Sequence, residues 1–217
     1  MGTNPEIGRH YPKKIELDET LVQTGPQFLR LRPGGTPQPQ MRQIPLRLMG
    51  AGDRAKILQF ANGLPEEDLL FLRNDITDPA TVDDWIKSIE QGTIVTLLAE
   101  PEADLAGYAS LHVNPLRWTR KVGEISINTA RAWQSRGLGE GLCTEIVELA
   151  GTLELRKITA QMVADHKAAR ALFERLGFHI EALLPDWLED REKQCRDLLI
   201  MAYDLRAKTH PALELRH

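Results

Sequence analysis

The stretch from Lys121 to Leu153, KVGEISINTARAWQSRGLGEGLCTEIVELAGTL, constrains the fold of this chain more than any other. Residues 122–129 alternate around Ile125 and Ile127 and are rich in β-branched side chains, which predicts a strand. A glycine-rich turn follows. Apolar residues then recur at helical spacing, which predicts an amphipathic helix from about Leu138.

The junction between this strand and this helix has the chemistry of an anion site. The first N–H groups of a helix have no intrahelical partner and carry the positive end of the helix dipole. Gly137, Gly139 and Gly141 would let the backbone approach a phosphate closely, and Arg136 adds a cation. Glycine spacing alone fits a tight turn without a ligand equally well.

Two motifs give the chain a family resemblance. QSRGLG at 134–139 fits the R/Q-x-x-G-x-G/A signature of the GNAT superfamily of acyl-CoA-dependent N-acyltransferases, in which this turn wraps the CoA pyrophosphate. DHKAARALFERLGF at 165–178 resembles the family's second landmark, N-x-x-A-x-x-x-Y-x-x-x-G-F, at the expected separation. The resemblance implies an α+β fold: a mixed, mostly antiparallel central sheet, flanked by helices and splayed at the acyl-CoA site.

The resemblance and the length of 217 residues predict one acyltransferase domain over 43–205, with an extension at 1–42 and a tail at 206–217. Within the extension, 13–21 and 27–33 could form two short strands. They would make an arm that adds to the sheet or to a partner subunit. The alternative is a partly disordered extension.

Composition excludes several classes of protein. The net charge of −4 is not the footprint of a nucleic-acid binder. No apolar run approaches the roughly 20 residues of a membrane span, and the N-terminus does not resemble a secretory signal. Cys143 and Cys195 form neither a metal motif nor a disulfide framework, which favours a reducing cytoplasm. The glycines read G-x-G-x-G, which argues against a Rossmann fingerprint, and the absence of G-K-[ST] excludes a P-loop.

Hydrophobic periodicity and capping residues predict the remaining elements. Residues 50–53, Asp78 and Asp165 are expected to begin or cap helices, and a further helix should start near Leu64. A charged loop is expected over 185–194. The predicted strands are 42–49, a hairpin of 93–99 and 106–113, then 157–163, 178–184 and 198–205.

Acetyl-CoA is the co-substrate that the resemblance implies, and its predicted site has two parts. The pyrophosphate is expected at backbone groups of Arg136, Gly137, Leu138, Gly139, Glu140 and Gly141. By resemblance, pantetheine and the acyl carbonyl pair with Ile127, Asn128 and Thr129, and the landmark residues Gln134, Asp165 and Phe173 complete the site.

Transfer to an amine requires a base that generates the neutral nucleophile. Glu124 is the first candidate, because Glu124, Ser126 and Asn128 share one face of the predicted strand and family members place a catalytic glutamate at nearly that position. His112 is the second candidate, since imidazole titrates near neutral pH. Each could instead be a structural or surface residue.

The general acid is not identified by the motifs. The landmark tyrosine that protonates the thiolate in many family members is Phe173 here, and Asp165 replaces the usual asparagine. Tyr108, Tyr203 or water could supply the proton. For the acceptor, the resemblance points to Phe71, Arg73, Asn74, Asp75 and Trp85, and the acidic residues Asp186, Glu189, Asp190 and Glu192 could attract a cationic amine or simply be solvated.

The sequence therefore predicts an N-acetyltransferase that acts on a primary amine of a small molecule or protein by direct attack in a ternary complex. Two alternatives remain open at this stage. One is a catalytically silent CoA-binding regulatory module, and the other is a scaffold whose glycines serve the turn alone. No nucleic-acid or membrane partner is expected. A homodimer is left open, since dimers are common in the resembled family.

Overall fold

A mixed β-sheet forms the centre of the protein. The computed structural model describes residues 5–18, 41–69, 72, 74–101, 104–190 and 193–206. The strands in these ranges are β1 Lys13–Asp18, β2 Met41–Leu48, β3 Ile94–Ala99, β4 Gly107–Val113, β5 Val122–Thr129, β6 Lys157–Val163, β7 His179–Glu189 and β8 Cys195–Asp204. They form one sheet in the order β1-β2-β3-β4-β5-β6-β8-β7.

Helices lie on both faces of this sheet. Those in the described ranges are α1 Pro5–Gly8, α2 Arg54–Asn62, α3 Glu66–Leu69, α4 Pro79–Glu90, α5 Leu138–Thr152 and α6 Lys167–Arg175. Short 3-10 turns at Ala51–Asp53 and Arg131–Trp133 precede α2 and α5. The α+β prediction is confirmed. No helix in the described part of the chain is long and apolar enough to cross a membrane.

The sheet opens between its two central strands. β5 and β6 are parallel, and every other neighbouring pair is antiparallel. The ladder between β5 and β6 ends at the pair of Ile125 and Ala160, although β5 continues to Thr129 and β6 to Val163. The two strands therefore diverge beyond this pair, which is the splay that the resemblance implies.

Strand alternation divides the apolar side chains between two cores. The face that we call the α5 face carries Leu97, Leu111 and Ile125, which pack with apolar residues of α5 such as Leu142 and Ile146. The opposite face, which we call the α4 face, has its own cluster. Its members include Ile57, Phe60, Val82, Ile86 and Leu98. Because adjacent strand residues point to opposite faces, one run of apolar residues in β3 serves both cores.

Several sequence predictions are confirmed. β5 and β6 occupy the predicted ranges, α5 begins at Leu138, and β3 and β4 form the expected hairpin. Asp78 caps α4, because its carboxylate accepts hydrogen bonds from the N–H groups of Ala80 and Thr81. The helix predicted near Leu64 is only the short α3.

The N-terminal segment contributes a strand to the sheet. β1 pairs with β2 over its whole length, and Ile15 and Leu17 are buried in the core on the α5 face. Lys13 Nζ also lies 2.8 Å from carboxylate oxygens of both Glu145 and Glu148 on α5. The second strand suggested at 27–33 falls outside the described residues.

Two predictions about local structure are wrong in whole or in part. Of the charged loop expected over 185–194, residues 185–189 are strand instead, because β7 continues to Glu189 across an irregular stretch of its pairing with β8. Asp165 does not cap α6, whose N-cap position is His166. The segment 50–53 caps α2 as expected, since Asp53 occupies the N-cap position, although its carboxylate bonds the Gly50 N–H and Arg47 rather than an N–H of α2.

Asp53 belongs to an ion cluster that fixes the start of α2 to the sheet. The guanidinium of Arg47 on β2 makes two hydrogen bonds to Asp53 and two to Glu100, and Lys56 also binds Glu100. The Arg47 hydrogen bonds lower the pKa of Asp53. Burial alone would raise the pKa of Glu100, but the bonds from Arg47 and Lys56 outweigh it and lower that pKa as well.

We expect Arg47→Met to destabilise the fold by about 2–4 kcal/mol at neutral pH, because it leaves two largely buried carboxylates without their main partner. The pKa values of Asp53 and Glu100 are both lowered in the folded protein. Their ion pairs with Arg47 therefore stabilise the fold fully above the unfolded pKa values of about 4. This contribution is lost as the pH falls from there through the lower folded pKa values. The difference between wild type and variant in urea unfolding should therefore shrink below about pH 4.

The control is Arg170→Met, which removes an exposed ion pair with Glu174. Such a pair contributes about 0.5 kcal/mol or less. Equal losses of stability in the two variants would contradict a special role for Arg47.

Candidate functional site

A polar cavity lies on the α4 face, next to the point where β5 and β6 separate. Its volume is about 420 Å³. The sheet contributes a floor of side chains on neighbouring strands, namely Ile94, Tyr108, Ser110, His112, Glu124, Ser126 and Asn128. The opposite wall comes from α4 and the segment before it, with Leu72, Asn74, Ile76, Thr81, Asp84, Trp85 and Ser88. Both negatively charged lining residues, Glu124 and Asp84, face this space.

The register of β4 and β5 brings the two candidate bases together. His112 lies directly opposite Glu124 in the antiparallel ladder, and both side chains line the cavity. Side chains at directly opposed positions have Cβ atoms about 4.5–5.5 Å apart. The prediction that Glu124, Ser126 and Asn128 share a face is confirmed, since all three line the same space. A residue that the motifs did not identify, Gln161 of β6, donates a hydrogen bond from Nε2 to Glu124 Oε2 at 3.0 Å.

Tyr108 lies on the cavity floor but is poorly suited to give up a proton. It is buried, and Asn128 Nδ2 donates a hydrogen bond of 2.7 Å to its hydroxyl oxygen. Burial raises the pKa of Tyr108 well above the ordinary value for tyrosine, and the Asn128 hydrogen bond opposes this only in part. A phenol with a raised pKa transfers its proton to a thiolate unfavourably, so it can donate a hydrogen bond but is a weak general acid.

A chain of hydrogen bonds fixes the aromatic wall to the floor. Trp85 Nε1 donates to Thr96 Oγ1 at 3.1 Å, and the Thr96 hydroxyl lies 2.9 Å from that of Ser110. The Trp85 ring packs against Tyr108 with centroids 5.0 Å apart. Of the predicted acceptor contacts, Asn74 and Trp85 line the cavity. Asp75 instead accepts hydrogen bonds from Thr77, and Phe71 and Arg73 lie outside the described residues.

The glycine turn before α5 contains two residues in the left-handed backbone conformation. Ser135 and Gly137 have positive φ angles of 57° and 85°, and Gly137 is the N-cap residue of the 15-residue helix α5. Arg136 lies between these two residues, immediately before the N-cap of α5. Gln134 Nε2 donates to Asp68 at 2.9 Å, which links the turn to α3.

Glu140 and Gly141 differ in what they offer an anion. Glu140 is exposed, so its carboxylate points away from the core. The Gly141 N–H donates to the carbonyl of Gly137 at 3.0 Å, which is the first hydrogen bond of α5. A Cβ at Gly141 would lie 2.8 Å from Ile15 Cδ1, so this glycine serves the close packing of β1 against α5.

The second landmark is exposed to solvent at Asp165 and buried at Phe173. Phe173 is buried, and its ring packs edge-on against Phe178 with centroids 5.0 Å apart. Asp165 is exposed and accepts a long hydrogen bond of 3.4 Å from Arg196. Burial lowers the pKa of the neighbouring His166, although Asp68 and Asp165 oppose this shift.

The predicted pantetheine contacts lie on the splayed part of the sheet. Ile127, Asn128 and Thr129 pair with β4 on one side and extend past the last pair with β6 on the other. Backbone groups of β5 on that side therefore face the opening rather than a partner strand. Tyr203 lies at the closed end, opposite Ile158, and packs on Phe178, which places it away from the opening.

The acidic residues near the β7–β8 turn do not form part of the cavity. Asp186 and Glu189 lie on β7, and the Asp190 carboxylate pairs with Arg196. Glu192 lies outside the described residues. Among the described residues, the acidic groups lining the cavity are Glu124 and Asp84. These two, together with Gln161, come from separate strands and a helix, so no local motif could have grouped them.

Comparison with known proteins gives one family and many structural neighbours. The model of the Acetyltransferase (GNAT) family matches residues 62–178. A sequence search of curated proteins found no significant match.

Two solved structures illustrate the structural likeness. The yncA protein of Salmonella typhimurium, solved with its cofactor acetyl-CoA, has 23% identity and a TM-score of 0.65, covering 78% of this chain and 98% of that one. A ribosomal-protein-alanine N-acetyltransferase of Brucella melitensis has 24% identity and a TM-score of 0.65, covering 73% and 98%. At these identities the neighbours establish the fold alone.

We expect Gly137→Ala to destabilise the protein by about 1–2 kcal/mol, because a side chain at φ +85° is strained. Thermal unfolding should show a decrease of a few degrees. Gly151→Ala is the matched control in the same helix, where an added Cβ meets nothing within 4 Å. That variant should be neutral or stabilised by up to about 1 kcal/mol, since alanine favours the helix. Two variants of equal stability would contradict the strained turn.

Proposed function

Because the chain belongs to the GNAT acetyltransferase family, we propose that it transfers the acetyl group of acetyl-CoA to a primary amine by direct attack in a ternary complex. One observation carries the proposal: the cavity containing Glu124 and His112 adjoins the opening between β5 and β6. A cofactor bound in the opening and an amine bound in the cavity would meet at β5.

The residues around the opening fit an acyl-CoA. The helix start at Arg136–Glu140 offers N–H groups, a helix dipole and the Arg136 cation to the pyrophosphate. The β5 backbone at Ile127 and Thr129 can continue its hydrogen bonding onto pantetheine instead of β6. Gln134, Asp165 and Phe173 flank these groups in the two landmarks. Acetyl-CoA supplies the activated acyl carbon and a thiolate leaving group.

Deprotonation of the amine is assigned to the floor of the cavity. An alkyl ammonium ion must lose a proton before its nitrogen can attack. Glu124 accepts that proton directly or through one water, and negative charge at Glu124 and Asp84 favours the cationic acceptor. His112 is the second candidate base and faces the same space.

Transfer then needs few further groups. The nitrogen–carbon bond forms as the carbon–sulfur bond breaks, and the proton that the nitrogen then loses passes through water to the departing thiolate. Much of the rate gain comes from holding both substrates in one geometry. β5 backbone N–H groups at the opening can stabilise negative charge on the carbonyl oxygen. With phenylalanine at position 173 and Tyr108 raised in pKa, the thiolate takes its proton from water.

The buried Phe173 also favours one alternative, a regulatory module that binds CoA without catalysis. The site of such a module would bind acetyl-CoA but would release no thiol with any amine. Cofactor binding and turnover must therefore be measured separately.

Glu124→Gln should lower kcat by about 10²–10⁴-fold, because the amide cannot accept the proton. The assay is release of free thiol from acetyl-CoA with a panel of primary amines. Glu16→Gln, the same change at an exposed residue of β1, should leave turnover unchanged. Undiminished turnover in Glu124→Gln would remove Glu124 as the base and leave His112→Ala to be tested. Wild-type protein that binds acetyl-CoA but turns over no amine would support the regulatory module.

Arg136→Glu should raise the dissociation constant of acetyl-CoA about tenfold or more, because it places a carboxylate where a phosphate is expected. Thermal unfolding at a fixed acetyl-CoA concentration measures this. A ligand at 100 times its dissociation constant stabilises the protein by about 2.7 kcal/mol, which is a shift of a few degrees. Arg117→Glu, an equal charge change on an exposed loop, is the control. The proposed cofactor site would be contradicted if acetyl-CoA still raised the unfolding temperature of Arg136→Glu as it does that of wild type. It would also be contradicted if Arg117→Glu lost this increase as well.

A further inference from the structure

Gln161 occupies a distinctive position in the sheet. It is the first residue of β6 beyond Ala160, the last residue of that strand paired with β5. Strand alternation places it on the same face as Thr159, which borders the space next to Glu124. Its Nε2 donates to Glu124 Oε2 at 3.0 Å, so the bond joins the two strands where they begin to separate.

We propose that Gln161 is a positioning residue for Glu124, which it holds at the cavity and keeps ionised. The inference rests on the proposed role of Glu124 as the base. A glutamate on a strand has three rotatable side-chain bonds, and a hydrogen bond from the neighbouring strand restricts them. A hydrogen bond to the charged form of a carboxyl group also favours ionisation.

A neutral donor suits this task better than a cation. Glu100 shows the contrast within the same chain, because Arg47 and Lys56 bind it, lower its pKa and hold it in an ion cluster. A carboxylate held in that way is a poor proton acceptor and a poor partner for a substrate ammonium. The amide of Gln161 orients Glu124 without adding a positive charge that competes with the amine.

Other groups also act on the charge of Glu124, so its pKa cannot be assigned to Gln161 alone. His112 on β4 lies opposite, Asp84 on α4 lines the same cavity, and Ser126 and Thr159 are the polar neighbours on β5 and β6. A protonated His112 would favour ionised Glu124, and Asp84 would oppose it. The test must therefore change the amide while these groups stay in place.

The experiment compares wild type with Gln161→Leu, which removes the donor at similar volume. The pKa of Glu124 is measured by NMR titration of ¹³C-labelled glutamate carboxyls, with Glu124→Gln identifying the signal. We expect the pKa to rise by about 0.5–1 unit in Gln161→Leu. We also expect the acidic limb of the kcat/KM profile to move the same way and kcat to fall severalfold. Gln161→Lys should lower the Glu124 pKa and move the acidic limb of the kcat/KM profile to lower pH.

Gln43→Leu is the control, since this glutamine lies on β2 and bonds Lys14 through its side-chain oxygen. It should change neither the Glu124 pKa nor the rate profile. Unfolding temperatures identify any variant that fails to fold, and Gln161→Lys then provides the comparison.

The two measurements separate the inference from the proposed function. An unchanged Glu124 pKa in Gln161→Leu and Gln161→Lys, with Glu124→Gln still inactive, overturns the role of Gln161 and leaves the base intact. A shifted pKa with an unchanged rate profile supports the hydrogen bond but overturns Glu124 as the base, and with it the catalytic role of Gln161. Parallel shifts in both support the inference.

Discussion

The limited pairing between β5 and β6 is the constraint on which the site depends. Both strands are fully supported on their outer sides, β5 by β4 and β6 by β8, so they can separate without fraying the sheet. Their parallel ladder stops at Ile125 and Ala160. The crossover helix α5 starts at the open end, which places its N–H groups beside the gap. One topological feature therefore provides both the opening and the positive end of a helix.

Because side chains alternate along a strand, the two faces of β4 and β5 have different surroundings. Leu111 and Ile125 point into the core under α5, while His112 and Glu124 line the cavity under α4. The buried hydroxyls of the polar floor, those of Tyr108 and Ser110, each have a hydrogen-bond partner on a neighbouring strand. Among the described residues, every buried side-chain nitrogen or oxygen has a hydrogen-bond partner. Such bonds restrict the side chains of the floor, which the proposed catalysis by positioning requires.

Carboxylates in this chain serve two distinct purposes. Asp53 and Glu100 are bound by the cations Arg47 and Lys56, which lower the pKa values of both carboxyl groups. Glu124 is held by an amide and faces a cavity large enough for a small amine. The first arrangement stabilises the junction of β2 and α2. The second leaves a carboxylate at the surface of a binding space.

Local sequence determined the elements that have strong periodicity or a required backbone, such as β5, β6, the start of α5 and the left-handed Gly137. It also brought attention to Glu124 and His112. It misjudged Asp165, whose carboxylate bonds Arg196 from a distant part of the chain, and the extent of β7, which depends on its pairing with β8. The sequence did not identify Gln161, and of the cavity wall it indicated only Asn74 and Trp85. Short-range patterns fix the backbone of each element, but only the packing of strands and helices decides which side chains meet.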